Sequence, residues 1–347
     1  MNDVLPEYRA LEERIRAALR ADLDEAEFGA LALDAHAFQK KWNAPYAKFC
    51  ATRPPAAHWR EIPAVPQSAF KSARLAVAPP ALVTRIFRTS GTTGEGFGEH
   101  HFIDTQLYDA AVLAGWDRLG LPRLYTYALV RSAWVADPHS SLSQMMSTLA
   151  YRSNGINFLV DPEGKLVGTK LLRHLKEKTT HGQPVAILGT ALAFLNYFEQ
   201  IGLERITLRP GSFVMETGGY KGSGRDIAKA ELYAMFGEYL GLAPNDIINE
   251  YGMTELSSQC YTRGLGRPHE GPPWLRTVVI DPETGGEAAV GETGVLRIFD
   301  LANLGSVLAV ETQDLAVRRE RGFDLLGRDP AALPRGCSRA ADERMRA

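Results

Sequence analysis

The stretch Arg88-Thr89-Ser90-Gly91-Thr92-Thr93-Gly94-Glu95-Gly96-Phe97-Gly98 packs glycines and hydroxyl side chains together, directly after a β-type run from Leu82 to Phe87. Glycine lets backbone N–H groups turn inward and approach a ligand, and Ser/Thr hydroxyls add donors that suit phosphate oxygens. A strand that runs into such a loop makes a phosphate cradle. It is not a Walker loop, because the GxxxxGK[ST] spacing is absent and no lysine follows Gly94. Taken alone, the stretch fits a plain mobile surface loop equally well.

A second stretch, Asn249-Glu250-Tyr251-Gly252-Met253-Thr254-Glu255, follows Ile247 and Ile248 and reads as a strand end entering a turn. S-G-T-T-G followed far downstream by Y-G-x-T-E resembles the adenylate-forming superfamily, which activates carboxylic acids with ATP. Two more pieces lie in the expected order. Glu311-Thr312-Gln313-Asp314-Leu315 resembles the T-G-D-L ribose motif, and Leu326-Gly327-Arg328-Asp329 resembles the G-R-D hinge. Ile62-Pro63 through Phe70-Lys71, Met215-Glu216-Thr217-Gly218-Gly219-Tyr220-Lys221 and the run from Met253 to Gln259 are similar to one branch, the LuxE-like acyl-protein synthetases. A tail with a cysteine, Arg335-Gly336-Cys337-Ser338, fits the same branch. The likeness begins near residue 60, and nothing in it assigns a function to the residues before.

The resemblance implies two steps: a carboxylate attacks the α-phosphate of ATP, then a thiolate takes the acyl group and AMP leaves. Neutralising the phosphates and aligning two anions requires fixed donors and a metal. By resemblance, Thr89, Ser90, Gly91, Thr92, Thr93 and Gly94 form the phosphate loop. Glu255 binds Mg2+, a hard cation suited to a carboxylate, and Thr254 lies near the α-phosphate. Gly218, Gly219 and Tyr220 flank the adenine, and Tyr251 and Gly252 are further ATP-binding residues. Asp314 accepts from the ribose hydroxyls, as a carboxylate can, and Arg328 contacts ribose or phosphate. The cofactors so implied are ATP and Mg2+.

Two departures from the superfamily stand out. Gln313 replaces the glycine of T-G-D-L, and little of the chain follows Asp329, where full-length members carry a further domain that delivers a lysine. Lys221, Arg88 and Lys71 are the local candidates for that cation, and Lys221, beside the adenine turn, is the expected one. Cys337 lies between Arg335 and Arg339, and nearby cations favour the reactive thiolate. In the acyl-protein synthetase branch such a cysteine accepts the acyl group, and that role is expected of Cys337. Cys260 and Cys50 read as packed thiols. His100 and His101 read as a polar pocket wall or an exposed pair, since an ionised carboxylate needs no general base. Met145 and Met146, with Leu142 and Leu149, read as core packing.

The elements expected to position these residues alternate. Residues 6–22 and 28–49 read as helices, and Pro54-Pro55 ends them. A helix is expected over 104–119, and strands over 128–130, 156–160, 185–190 and 212–215. Pro138-His139-Ser140-Ser141-Leu142 is expected to open a helix with a serine as its cap, and 191–200 to form another. Apolar strands alternating with helices predict an α/β fold with a largely parallel sheet covered on both faces, with ligands at the strands' carboxyl ends. After Trp274, segments 276–280, 294–299 and 306–310 predict a small antiparallel, barrel-like subdomain. The expected division is a helical segment over 1–60, an ATP- and acid-binding core over 61–326 with the β subdomain from about 274, and a tail over 327–347.

The bulk numbers exclude several classes. A 347-residue chain with 45% hydrophobic residues supports a sizeable core. A net charge of −2 gives no electrostatic case for nucleic acid. No apolar run approaches a membrane span or a signal segment, and three scattered cysteines make no disulfide framework. A cytoplasmic enzyme with a carboxylic acid substrate and an acyl-accepting protein partner is expected. Two alternatives stay open: a ligase that loads coenzyme A or a carrier protein, and a non-catalytic nucleotide-binding partner of an acyl reductase. The acid itself is not legible.

Overall fold

The computed structural model describes residues 3–89, 97–218 and 227–328. Chain contacts divide it into two compact units. One comprises Met1–Gly115, Met253–Gln259 and the residues from Pro268 onward; the other comprises Trp116–Gly252 and Cys260–Arg267.

The first unit opens with α1 (Leu5–Ala18), α2 (Glu25–Trp42) and α3 (Ala44–Cys50). Helix α1 buries Tyr8, Leu11, Ile15 and Ala18, a stripe at helical spacing. Helix α2 starts at a reciprocal cap, in which Asp24 Oδ1 accepts from the Glu27 N–H and Glu27 Oε2 accepts from the Asp24 N–H. A short strand β1 (Val65–Pro66) follows, then helix α4 (Ala69–Ser72) and the hairpin β2 (Arg85–Arg88) and β3 (Glu99–Phe102). Strand β2 starts later than the expected run from Leu82, because Pro79-Pro80 enters a 3-10 turn over Pro80–Leu82. Helix α5 (Gln106–Asp117) closes this part of the chain.

The second unit is built on one six-stranded sheet. Its strands are β4 (Tyr125–Ala128), β5 (Ile156–Phe158), β6 (Val185–Thr190), β7 (Phe213–Thr217), β8 (Ile247–Tyr251) and β9 (Cys260–Arg263). They lie in the order β5-β4-β6-β7-β8-β9, parallel except for β9. The helices between them are α6 (Ser141–Thr148), α7 (Gly168–Thr180), α8 (Ala191–Ile201) and α9 (Lys229–Leu240). Strand β7 is buried at every position, as a strand covered on both faces must be. Its core joins Ile187 and Val214 to Leu171 and Leu175 of α7, Phe194 and Phe198 of α8, and Phe236 of α9. The serine cap expected for α6 is Ser140, which accepts from the Ser143 N–H at 3.1 Å.

The chain returns to the first unit with β10 (Leu275–Ile280), β11 (Thr293–Asp300), β12 (Ala309–Arg318) and β13 (Phe323–Arg328). These are antiparallel neighbours in the order β10-β11-β12-β13, and β1 pairs in parallel with the start of β12. Residues 303–308, partly expected as strand, instead form a turn held from α2. Gln39 donates to the carbonyls of Asn303 and Leu304 and accepts from the Leu308 N–H at 2.8 Å. One hydrophobic core joins Leu11 and Ile15 of α1, Phe28 of α2 and Trp59 to Trp274, Val278 and Phe299 of the sheet. The N-terminal helices and the β-strands therefore fold around the same side chains.

Candidate active site

In the first unit, the β2–β3 hairpin forms the neck of the glycine loop. The Thr89 N–H donates to the Gly98 carbonyl at 2.9 Å, and Thr89 Oγ1 accepts from the Gly98 N–H at 2.8 Å. A Cβ on residue 98 would stand 3.1 Å from Thr89 Cγ2 and 3.5 Å from Lys71 Cγ, so glycine there permits the close approach. Ser90, Gly91, Thr92, Thr93 and Gly94 lie outside the described residues.

Thr254 and Glu255 belong to the same unit, and three side chains from distant segments hold them. Glu255 is only 3% exposed. Its carboxylate oxygen Oε1 accepts from Gln67 Nε2 at 3.0 Å, and its backbone carbonyl accepts from Asn303 Nδ2 at 2.8 Å. The Thr254 carbonyl pairs with His100 Nδ1 at 2.8 Å. A carbonyl only accepts, so Nδ1 carries the proton. Burial pushes the His100 imidazole down to about 3, so the ring is neutral at ordinary pH. His100 and His101 are both buried, which corrects the exposed-pair alternative of the expected two. The reason is packing: the His100 ring meets Phe70 and Phe102.

The segment after Glu255 is clamped as firmly. Asp300, at the end of β11, accepts from the backbone N–H groups of Ser257 and Ser258 at 2.9 and 2.8 Å and from Ser258 Oγ at 2.8 Å. Burial pushes the Asp300 carboxyl up to about 6, and those donors hold it lower than burial alone would. Trp274 Nε1 donates to Ser258 Oγ, completing the cluster.

Asp314 and Arg328 lie opposite each other on β12 and β13. The T-Q-D-L stretch is not a turn: it runs inside β12, where no non-glycine residue has positive φ, so Gln313 meets no strain. Thr312 Oγ1 donates to the Leu296 carbonyl and accepts from the Asp314 N–H. Arg328 ends β13, and Asp329 and the tail with Cys337 lie outside the described residues.

In the second unit, Gly218 follows β7 with φ of +66°, a left-handed conformation that favours glycine. Gly219, Tyr220 and Lys221 lie outside the described residues. Tyr251 ends β8 and is buried, and Gly252 follows it. Four polar residues that lie within the motif stretches but were given no role there cluster at the ends of these strands. Asn249 Nδ2 donates to Glu216 Oε1 at 2.6 Å, and Thr217 Oγ1 donates to Glu250 Oε2. Burial pushes both carboxyls up to about 7. The available signal was two acidic residues inside otherwise apolar strands.

Cys50 and Cys260 are buried thiols, as read from the sequence. Among the described residues no cluster of three or more His, Cys, Asp or Glu could hold a metal, and no helix is long and apolar enough to cross a membrane. A magnesium site needs no such cluster, because Mg2+ is commonly bound by one or two carboxylates together with substrate phosphates.

No family model matches the chain. In sequence it is similar to the long-chain-fatty-acid–luciferin-component ligase of Aliivibrio fischeri, with 21% identity over 314 residues, covering 84% of this chain and 79% of that ligase. In structure it is similar to 2-hydroxyisobutyryl-CoA ligase in an open conformation with 2-HIB-AMP and CoA. The TM-score is 0.64 at 15% identity, over 91% of this chain and 78% of that one. ATP-bound MatB from Rhodopseudomonas palustris matches with a TM-score of 0.50 at 17% identity, over 70% of this chain; the chain spans about half of MatB, 47%. The chain thus has the α/β fold of the N-terminal domain of adenylate-forming enzymes and is similar in sequence, along most of its length, to a fatty-acid ligase.

Proposed function

We propose that the protein activates a carboxylic acid, of the fatty-acid class, with ATP and passes the acyl group to a thiol. A carboxylate oxygen attacks the α-phosphorus of ATP and pyrophosphate leaves. A thiolate then attacks the acyl carbonyl, a C–S bond forms, and AMP departs. The observation that carries this reading is Glu255: a buried acid next to Thr254, its carboxylate met by the Gln67 amide and its backbone carbonyl held by Asn303. A divalent cation beside such an acid lowers the cost of its burial. Mg2+ fits that residue, because carboxylate oxygen is its preferred protein ligand and the buried Gln67 Oε1, which lacks a hydrogen-bond partner among the described residues, lies on the same side chain that holds Glu255. When bound, the ion neutralises phosphate charge.

The chain's own groups have separate tasks in this scheme. Thr89 shapes the loop neck, and residues 90–94 of the loop hold phosphate. Asp314 accepts from the ribose hydroxyls, and Arg328 contributes a positive charge nearby. Lys221 supplies the cation at the reacting phosphate, Cys337 accepts the acyl group, and a partner protein removes it. Support for the acceptor comes from the likeness to the luciferin-component ligase.

Intact-protein mass spectrometry after incubation with Mg-ATP and a panel of acids, beside Cys337→Ser, tests the scheme. The expected result is a covalent acyl increment that hydroxylamine removes and the variant lacks. Pyrophosphate release without an adduct moves the acceptor to coenzyme A or a carrier protein. No pyrophosphate with any acid overturns the reading.

A further inference from the structure

The segment from Ile62 to Lys71 lies outside the nucleotide motifs, yet its side chains reach several parts of the first unit's motif set. Gln67 follows β1, and its backbone N–H donates to the Glu311 carbonyl of β12 at 2.9 Å. Its side-chain Nε2 donates to Glu255 Oε1 at 3.0 Å. In the short helix that follows, the Phe70 ring meets His100 edge-on at 5.8 Å, and His100 in turn holds the Thr254 carbonyl. The Lys71 stem lies at the glycine-loop neck, 3.5 Å from where a Cβ on residue 98 would stand. One turn of chain thus reaches Glu255, the support of Thr254 and the loop neck.

The Gln67 amide is used on one side only. Its oxygen Oε1 is buried and has no hydrogen-bond partner among the described residues. Leaving a buried acceptor unmet costs about 1–3 kcal/mol. The same geometry places this acceptor on the side chain that binds the carboxylate expected to meet a cation. Mg2+ dehydrates reluctantly and keeps several waters, each a strong donor. A group that grips a metal-ligating carboxylate and also accepts from the metal's water shell is a common support of such ligands.

We propose that Gln67 is a positioning residue for the cation site: its amide nitrogen orients the Glu255 carboxylate, and its buried oxygen accepts a hydrogen bond from water bound to the divalent ion. This rests on the reading of Glu255 as the metal-binding acid. It assigns a task to a residue outside the nucleotide motifs, set by the β1–β12 pairing.

The test is Mn2+ titration with a non-hydrolysable ATP analogue, followed by electron paramagnetic resonance, on wild type, Gln67→Met and Gln67→Glu. Gln67→Met removes both polar atoms at similar volume. Mn2+ affinity is expected to fall about tenfold or more, with a matching rise in the Mg2+ needed for pyrophosphate release. A role limited to stapling β1 would lower the melting temperature and leave metal affinity unchanged, and that outcome overturns the proposal. Should Gln67→Met fail to fold, Gln67→Glu keeps the shape and adds charge beside Glu255. A severalfold change in Mn2+ affinity is then expected, and affinity equal to wild type overturns the proposal. A wild type that binds Mn2+–nucleotide but activates no acid defeats the functional reading alone, because the Gln67 comparison still stands on binding.

Discussion

Asp314 of β12 and Arg328 of β13 are direct register partners in an antiparallel ladder, the last pair before β13 ends. Directly opposed residues send their side chains to the same face of the sheet. If both serve one nucleotide, their effects are coupled. Asp314→Ala and Arg328→Ala are each expected to weaken ATP binding about tenfold or more, as loss of a hydrogen bond to a charged group does. The double variant should lose less than the two singles combined. Strictly additive losses in a calorimetric cycle would show that the two residues act separately.

His100 holds the Thr254 carbonyl with a ring that burial keeps neutral at ordinary pH. His100→Phe keeps a ring against Phe70 and Phe102 but removes the donor. A fall in kcat of about tenfold is expected, in line with an unmet buried carbonyl at about 1–3 kcal/mol. The pH profile of kcat should keep its shape, because a ring held at about 3 does not titrate near neutrality. A displaced acid limb in the variant would instead mark His100 as a proton carrier.

The buried acids of β7 and β8 give stability a definite pH dependence. Glu216 and Glu250 are raised to about 7 in the folded state, against 4.5 as the ordinary value. Between those values the folded protein holds protons that the unfolded chain has lost, so each acid makes stability fall as pH rises through that window. Glu250→Gln still accepts from Thr217 but does not titrate. Its melting temperature relative to wild type should therefore be higher at pH 8 than at pH 5. An equal offset at both pH values would show that Glu250 is not buried as the neutral acid.

Trp59 tests whether the N-terminal helices are structural partners of the strands. It is fully buried, edge-on to Phe28 of α2 at 5.2 Å and to Phe299 of β11 at 4.9 Å. Trp59→Ala should cost about 3–5 kcal/mol, and deletion of residues 1–50 should abolish cooperative melting. A truncated chain that melts like wild type would show the helices to be an appendage.

Much of the architecture was legible because local patterns and burial agree. The apolar run Val185–Thr190 and the helix after it form β6 and α8 within a residue of expectation, since Thr190 both ends the strand and caps the helix. Helix α7 was passed over because Leu171 and Leu175 are a narrow stripe among charged residues. The candidate site was legible as motifs and not as contacts. Nothing local tells that Gln67, His100 and Asn303 converge on Thr254 and Glu255, because their meeting is set by strand pairing and core packing. Nor does alternation show that Gln39 would hold the turn over 303–308.

That convergence also sets an order of events in folding. The partners of Thr254 and Glu255 come from residues 67, 100 and 303, so the segment closes only through long-range contacts, the slowest kind to form. A nascent chain that has emerged only as far as Glu255 still lacks the turn that carries Asn303, so Glu255 becomes fixed only after β11 has been made.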